Sequence, residues 1–520
     1  MIVSIFNDVI GPVMRGPSSS HCAAALRIGR IARDLMDGEI ADVLIEYDVH
    51  GSLPTTHDSQ GSDMGLFGGL MGWDADDDRL PNSAAALSAA GIRTKIETIN
   101  VNDPHPNTYR LNLSNPTEQH SLIAISTGGG MIEVIEIDGT PVSLFGDCYV
   151  LFLTAQGEAK AFTSEYLNVD SIEQAGPFTI IKSQWPFPSA ISSSICESDA
   201  IKSAKLLNPV LPVLSRANVE VPFTTCAELV EFDDHQDIPL WEHAITYEME
   251  RGGLSRDEVI QKMVDIVRIL RKSIASGLAG TEYDDRVLGY QSGNFEQMMN
   301  SGKLLNGGTL NHIILYVTAI MEVKSSMGVI VAMPTAGACA ALPGAVIAMA
   351  EEMGLDEVAM AKALLASGLI GVFIATAWSF AAEVGGCQAE GGSASAMAAA
   401  ALVTLAGGTL KQAVSASSMA LQSMIGLICD PIANRVEAPC LGKNVMAASN
   451  ALCTANMALA EFDQVIPLDE VIETAKRVSS QMPRELRCTS LGGLSITPTS
   501  LAIELKLAER KRSKCGGCSC

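Results

Sequence analysis

Residues 363–382, ALLASGLIGVFIATAWSFAA, contain no charged side chain. Twenty uncharged residues match the length of a membrane-spanning helix. However, the stretch is rich in Ala, Gly, Ser and Thr, its neighbours are similarly rich in Ala, and Lys362 is the only basic residue beside it. Because a helix that is apolar on all sides can also be the buried centre of a large helical domain, the stretch predicts a core helix and a soluble protein.

The segments around this stretch extend the same pattern. From about residue 239 to Asn456, long runs of Ala, Leu, Met and Val are interrupted by Gly and Pro. Ser255 lies three residues before Glu258, which is a capping-box pattern at the start of a periodic helix over residues 254–277. The second half of the chain is therefore predicted to be all-helical and mostly buried.

The first 145 residues have a different pattern, in which helix and strand signals alternate. Residues 23–36 follow a Ser-rich turn and have apolar side chains at helical spacing. Strands are predicted from β-branched and alternating patterns at residues 41–50, 93–100, 109–113 and 131–137. The glycine run Gly128–Gly130 lacks the Lys of a phosphate-binding loop and precedes a strand, so it predicts a tight turn.

Residues 148–232 form a second mixed stretch, with strands predicted at 149–154 and 178–182 and a helix at 197–207. The fold class expected is an α+β N-terminal domain followed by a mostly buried all-α catalytic domain. The expected boundaries are 1–147, a bridging or regulatory segment at 148–235, the helical domain at 236–512, and a flexible Cys-rich tail at 513–520.

Composition limits the partners that the protein can have. The chain has 520 residues, a net charge of −24 and 48 % hydrophobic residues, which argues against disorder. Nucleic-acid binding needs a basic stripe, which the sequence lacks. The first residues resemble no signal peptide. We expect a cytoplasmic protein that binds neither nucleic acid nor membrane.

Thirteen cysteines without a secretion signal indicate a reducing compartment, where thiols bind metals or do chemistry. No histidine follows His312, so residues beyond it cannot form a mixed Cys/His zinc site. Cys387, Cys429 and Cys440 each lie at a break in a helical run. Three such thiolates could hold a [4Fe–4S] cluster with one iron open as a Lewis acid. The alternative is that they are ordinary buried cysteines of an Ala-rich core.

Two polar segments in the first half are candidate ligand sites. Ser18, Ser19, Ser20 and His21 precede a helix, where hydroxyls and free backbone N–H groups suit a carboxylate. The alternative is a simple helix cap with spare serines. The second segment, residues 51–63, is a turn-rich loop after a strand, which by itself is typical of an ordinary connection.

Four motifs in this order resemble the iron–sulfur-dependent L-serine dehydratase family: GPSSSH at 16–21, HPNT at 105–108, MGVIVAMPTAGACAALPG at 327–344 and EVGGCQAE at 383–390. CDP at 429–431 and PC at 439–440 follow. The resemblance covers residues 1–145, the β part of the family, and about 243–500, its α part. It implies dehydration and deamination of L-serine to pyruvate and ammonia, as in amino-acid catabolism and gluconeogenesis, by a homo-oligomer such as a homodimer.

The resemblance also implies roles for individual residues. Cys387, Cys429 and Cys440 would ligate the cluster, and a terminal cysteine, Cys520, would fold back onto the open iron unless the tail is incidental. Thr335 would belong to the substrate loop, and the 18–21 segment would hold the substrate carboxylate between the two parts. Further substrate contacts are expected from Ser52, Gln60, Asp63, His105 and Asn107.

Three departures from the family pattern concern the substrate. Gln60 stands where the family has a histidine of a GHGTD motif, Ala336 replaces the Asn of PTNGA, and residues 375–379 are less polar than usual. Gln cannot titrate, so His57 or another group would have to substitute, or the substrate differs. The alternatives are a cysteine desulfidase-like elimination on the same cluster and a non-catalytic iron–sulfur redox sensor.

Overall fold

The computed structural model describes residues 2–155, 169–187, 201–215 and 219–515, with side chains to residue 510. Its strands fall in the N-terminal part, apart from one short strand, and its C-terminal part is helical. The expected order of an α+β part followed by an all-α part is confirmed.

Twelve strands occur in the described ranges. They are β1 Val13–Met14, β2 Asp42–Asp48, β3 Arg93–Ile99, β4 Thr108–Ser114, β5 Gln119–Gly128, β6 Met131–Ile137, β7 Thr140–Leu144, β8 Tyr149–Ala155, β9 Ser171–Ala175, β10 Phe178–Ser183, β11 Ile201–Leu207 and β12 Ile330–Val331. The expected strands of the first 145 residues are all present, and Gly129 and Gly130 make the tight turn between β5 and β6.

Six strands form a mixed sheet in the order β3-β2-β4-β5-β6-β7, in which only β2 and β3 run parallel. Alternate side chains of these strands, such as Leu111 and Leu113, point into one apolar core. The helix Ala24–Leu35 (α1) covers this core with Ile28 and Ile31. Residues with alternating burial thus make a half-buried sheet with one helical face, as the sequence pattern predicts.

A second, four-stranded antiparallel sheet has the order β11-β8-β10-β9. Here the helix expected at 197–207 is wrong, because Ile201–Leu207 is a strand paired with β8 from Ile201 against Ala155 to Leu207 against Val150. The apolar residues of this segment fit a short helix about as well as a strand. The open edge of β8 supplies backbone hydrogen bonds that a local pattern does not contain.

Seventeen helices are described. They are α1, α2 Leu53–Thr56, α3 Ser62–Leu70, α4 Ser83–Ala89, α5 Cys226–Asp233, α6 Leu240–Gly252, α7 Arg256–Ala279, α8 Ser292–Asn300, α9 Thr309–Ser325, α10 Ala341–Glu352, α11 Glu357–Ala377, α12 Ala382–Gly385, α13 Ser393–Leu405, α14 Leu410–Gln422, α15 Cys440–Leu459, α16 Leu468–Gln481 and α17 Pro498–Cys515. The capping box of Ser255 and Glu258 begins α7 as expected.

Helix α11 is the only one in the described ranges that is long and apolar enough to cross a membrane. Of its most apolar 18-residue window, 78 % is buried inside the protein. Its neighbours include α6, α7 and α13, so it has helical partners on several sides. It is the core helix of the C-terminal part, as expected from residues 363–382.

The N-terminal residues of the chain belong physically to the helical part. Ile5 and Val9, in a π-helical turn at Ile5–Val9, pack into the same core as α11. Strand β1 pairs antiparallel with β12, which joins Val13 to Val331. The two parts are thus interlocked through the first fourteen residues.

The C-terminal end differs from the expected boundary at Ser513. Helix α17 continues through that residue to Cys515, because the sequence has no Gly or Pro between Pro498 and Gly516. Residues 516–520 lie outside the described part of the chain.

Candidate active site

Loops from both parts meet where the polar motifs converge. Ser19 Oγ accepts a hydrogen bond from the Ala336 backbone N–H at 3.1 Å. The Arg484 guanidinium donates to the Gly51 carbonyl at 3.2 Å, and the Asn434 amide donates to the Thr55 carbonyl at 3.2 Å. The serine segment, the loop around Thr335 and the segments that flank Cys440 and Cys488 therefore come together at one junction.

The segment from Ser18 to His21 leads into α1 through a π-helical turn, Ser19–Ala23. Ser18 is the cap residue, but its hydroxyl makes no capping bond and lies 3.0 Å from His21 Nδ1. The Ser20 side chain is 4 % exposed. A simple helix cap does not describe Ser18 and Ser19, whose oxygens contact His21 Nδ1 and the Ala336 N–H instead.

His21 is held neutral at this junction. Burial, followed by the charge of His57, lowers its pKa to about 3. Its Nε2 lies 2.9 Å from Thr56 Oγ1, so both ring nitrogens have hydroxyl neighbours. A neutral ring can orient hydroxyl groups here, whereas the cationic form considered from the sequence is strongly disfavoured.

The substrate loop expected around Thr335 is fixed by contacts on three sides. Thr335 is 1 % exposed, and its hydroxyl donates to Glu390 Oε1 at 2.8 Å. The Asn444 amide donates to the Gly337 carbonyl at 2.8 Å. The loop therefore places Thr335 beside Glu390, on the segment that carries Cys387.

The HPNT motif brings Asn107 to the same junction. Asn107 is fully buried, and the Ser52 hydroxyl donates to its Oδ1. His105 Nδ1 accepts the Asn107 backbone N–H at 3.2 Å. Asn107 Nδ2 is buried without a hydrogen-bond partner among the described residues. Ser52 and His105 thus orient Asn107, whose amide donor lies towards the Glu383 carboxyl without a hydrogen bond of good geometry.

Gln60 and Asp63 lie near each other but make different contacts. Asp63 pairs with His57 Nδ1 at 2.8 Å. Burial lowers the pKa of His57, but the carboxylate of Asp63 more than offsets this and the net pKa is raised. Gln60 is fully buried, with its amide nitrogen 3.8 Å from Cys488 Sγ. His57 is therefore occupied by Asp63, and Gln60 faces a thiol.

The three predicted ligand cysteines are each 4–5 % exposed. Ligand atoms of Cys387, Cys429 and Glu390 lie within 4.8 Å of one another. Cys440 begins α15, and its burial raises the pKa of the thiol, with a further contribution from Cys387. The structure thus brings Cys387 and Cys429 together, whereas Cys440 is near enough to Cys387 for their charges to interact but lies outside the close group.

Lys443 supplies positive charge to this thiol cluster. Its Nζ lies 3.6 Å from Cys387 Sγ and 2.7 Å from both Asp430 Oδ1 and the Ile428 carbonyl. Burial alone would lower the pKa of Lys443, but the charges of Cys387 and Asp430 raise it overall. An ammonium donor beside sulfur stabilises thiolates.

Cys488 was not among the predicted site residues. Backbone bonds join its segment to Cys429: the Cys429 N–H donates to the Leu486 carbonyl at 2.9 Å, and the Cys488 N–H donates to the Cys429 carbonyl at 3.2 Å. Its side chain is 4 % exposed and contacts the Cys429 thiol. No spacing in the sequence links residues 429 and 488, because this bridge forms only in the tertiary structure.

Cys453 lies on the helix that begins with Cys440, and Cys520 is the last residue of the sequence. Cys453 is exposed on α15, because the opposite face of that amphipathic helix is the buried one. Cys520 lies outside the described residues, so its contact with a metal centre stays a prediction.

Glu383 is a second residue that the sequence analysis did not assign. It is 7 % exposed, and its Oε1 lies 3.3 Å from His21 Nδ1. Its Oε2 is buried without a hydrogen-bond partner among the described residues. Burial and the neighbouring Glu390 raise the pKa of the carboxyl to about 7, although the Asn107 amide nearby lowers it in part. The quoted motif EVGGCQAE contains Glu383, which was the available signal.

Comparison with known proteins finds relatives of one family along most of the chain. The family model of the serine dehydratase alpha chain matches residues 235–495. A probable L-serine dehydratase alpha chain from Bacillus subtilis is 37 % identical over 285 residues, covering 55 % of this chain and 95 % of the relative.

Two further relatives extend the similarity to the N-terminal part. An L-serine dehydratase from Streptomyces coelicolor is 26 % identical over 507 residues, covering 95 % of this chain and 99 % of the relative. A probable L-serine dehydratase beta chain from Bacillus subtilis is 35 % identical over 179 residues, covering 33 % of this chain and 80 % of the relative. With alpha-type and beta-type parts joined in one polypeptide, the chain belongs to the L-serine dehydratase family.

Proposed function

We propose that the protein is a [4Fe–4S]-dependent lyase that converts L-serine to pyruvate and ammonia. The observation that carries this proposal is the junction itself. Asn107 Nδ2 and Glu383 Oε2 are buried there without a hydrogen bond of good geometry in the described residues, although the Asn107 amide acts on the Glu383 carboxyl, and Glu383 in turn acts on Cys488 of the buried thiol cluster. A buried donor and acceptor that are poorly satisfied by the protein are costly, and a bound ligand would pair them.

The donor set suits an iron–sulfur cluster. Cys387, Cys429 and Cys440 are free, buried thiols from three different loops or helix ends, and Lys443 offsets part of their charge. Among the described residues, no histidine lies beside these three cysteines. This favours a thiolate-rich metal site over a mixed Cys/His zinc site. When bound, such a cluster would supply a Lewis acid for a leaving hydroxyl group.

The protein's own residues would bind and orient the amino acid. Ser20 and the neighbouring backbone N–H groups at the start of α1 offer donors to the substrate carboxylate, and Asn107 Nδ2 adds another. His21 would hold the Ser18 and Thr56 hydroxyls in place while staying uncharged. The closed junction between the two parts would keep water from the reacting atoms.

Anaerobic reconstitution with iron and sulfide, followed by a substrate screen, tests this function. We expect pyruvate and ammonia in equal amounts from L-serine, and cluster absorbance that is lost in air. Sulfide release from L-cysteine with no serine turnover would instead establish the desulfidase alternative. An intact cluster without turnover of L-serine, L-threonine or L-cysteine would contradict the enzyme assignment and favour a redox sensor.

A further inference from the structure

We propose that Glu383 is the general base that removes the α-proton of the substrate. This inference rests on the proposed function and names a catalytic group for it. It starts from the geometry of the two Glu383 carboxyl oxygens, which the Asn107 amide also approaches. Oε1 lies 3.3 Å from His21 Nδ1, whereas Oε2 is buried and unpaired within the described ranges.

The position of Glu383 in the chain fixes it relative to the metal centre. It lies in the short helix α12, Ala382–Gly385, four residues before Cys387. The Cys387 segment is tied in turn to the next loop, because the Gln388 N–H donates to the Leu427 carbonyl at 2.9 Å. Glu383 and the predicted cluster ligand Cys387 thus share one backbone segment. This segment limits how far the Glu383 carboxylate can move from the metal centre that would bind the leaving hydroxyl group.

The surroundings of Glu383 favour a carboxyl of raised basicity. The groups that face it are His21 from the serine segment, Asn107 and Tyr109 from the HPNT strand, Glu390 from its own segment, and Cys488 from the C-terminal loop. No lysine or arginine is among the groups that act on it. A carboxylate there is a stronger base than a solvated one, and it still ionises near neutral pH.

The other titratable groups at the junction are less suited to the task. His21 is held neutral with both ring nitrogens beside hydroxyls, and the His57 imidazole pairs with Asp63. Glu390 accepts the Thr335 hydroxyl bond and lies among the predicted metal ligands. Gln60 cannot take up a proton. Among the described carboxyl groups at this junction, Glu383 is therefore the one with a buried oxygen that makes no hydrogen bond.

The proposed step balances without an added reactant. Glu383 Oε2 takes the α-proton, the electrons of that C–H bond form the Cα–Cβ double bond, and the Cβ–O bond breaks. The proton and the departing hydroxide together make the water molecule that is lost. The aminoacrylate left behind tautomerises to an imine, which water hydrolyses to pyruvate and ammonia.

The test is Glu383→Gln, which keeps the shape and the hydrogen bonds of the side chain but cannot accept the proton. We expect kcat for L-serine, per bound cluster, to fall by ~10²–10⁴-fold with little change in KM. The iron and sulfide content and the melting temperature should equal those of the wild type. Glu383→Asp keeps a carboxylate on a side chain that is shorter by one methylene. This variant should retain the cluster and have a kcat between those of the wild type and Glu383→Gln.

Two further measurements separate a base from a binding group. β-Chloro-L-alanine has a better leaving group and still needs α-proton removal, so Glu383→Gln should lose its turnover to a similar degree. In cluster-free protein, a difference infrared titration of wild type against Glu383→Gln should show one carboxyl protonating near neutral pH. This readout does not depend on enzyme activity.

The outcomes distinguish this inference from the proposed function. If the wild type makes no pyruvate, the function is wrong, whatever Glu383 does. If the wild type is active and Glu383→Gln retains its kcat, or only raises KM, the base assignment is overturned while the function stands. Loss of the cluster in both Glu383 variants would also overturn it, because the residue would then have a structural role.

Discussion

At the scale of single residues, the three predicted ligand cysteines can be tested against Cys453, which lies on the same helix as Cys440. The cluster absorbance near ~400 nm should be lost in each of three variants, Cys387→Ala, Cys429→Ala and Cys440→Ala. Removing one thiolate leaves one iron of the cluster without its protein ligand. Cys453→Ala is the control, since this thiol is exposed on α15, away from the buried face that begins with Cys440. Absorbance spectra and iron content after anaerobic reconstitution decide the matter. A Cys429 variant with a full cluster and full rate would refute the ligand assignment.

The role of Ser20 as a substrate-binding residue is a second prediction at this scale. Its hydroxyl lies in the turn before α1, where the cap residue Ser18 makes no capping bond. Ser20→Ala should raise KM or lower kcat by roughly tenfold or more. Ser255→Ala is a matched control, because Ser255 caps α7 in a complete capping box. That variant should lose ~1 kcal/mol of stability and keep its kinetics. Steady-state kinetics and thermal unfolding of both variants separate a binding role from a capping role.

At the scale of elements, close approach of the N-terminal turn to α11 requires a glycine in the middle of that helix. A Cβ atom at Gly371 would lie 2.1 Å from Val9 Cγ1 and 3.2 Å from Met397 Sδ. Replacing Gly by Ala in an unhindered helix stabilises the helix by ~0.5–1 kcal/mol. At Gly371 the steric clash should outweigh this gain and lower the free energy of unfolding by ~1–3 kcal/mol. The effect of Gly371→Ala should shrink in a Val9→Ala background, which removes the clashing methyl groups. Chemical unfolding of the double-mutant cycle measures this coupling, and additivity within ~0.5 kcal/mol would contradict the contact.

At the scale of the whole molecule, the pKa of Asp8 depends on the burial of the N-terminal segment against the helical part. Its Oδ2 accepts the Ser4 N–H at 2.8 Å. Burial raises the pKa of Asp8 from 3.8 to about 6, although that hydrogen bond and the charge of Arg251 lower it in part. Between these two pKa values the folded state holds a proton that the unfolded state has released. Folding therefore takes up a proton, and this contribution to stability is present at low pH and is lost as pH rises through about 6.

Asp8→Asn removes this titration while keeping a hydrogen-bond acceptor. We expect the free energy of unfolding of the wild type, relative to the variant, to increase as the pH falls from 7 to 4. Urea unfolding of the cluster-free forms at several pH values measures the difference. A constant difference across this range would mean that the segment is solvated in the folded protein.

Much of the fold follows from local patterns in the sequence. The capping box at Ser255, the glycine turn at Gly129 and the alternating strands of the first sheet each depend on residues a few positions apart. The apolar stretch at 363–382 predicted a core helix for the same reason. The placement of Cys387, Cys429 and Cys440 at helix ends and loops was likewise visible from the spacing of Gly, Pro and Ala runs.

Only the tertiary structure decided which distant residues meet. The segment 201–207 became a strand because the edge of β8 was open to it. Glu383 gained its raised pKa because tertiary packing buried its carboxyl beside Glu390, and His21 from the other part came to lie 3.3 Å from its Oε1. Cys488 reached Cys429 through backbone hydrogen bonds across 59 positions of the chain. Sequence patterns encode the propensities of neighbouring residues, whereas burial and unpaired polar atoms arise from contacts between segments far apart in the chain.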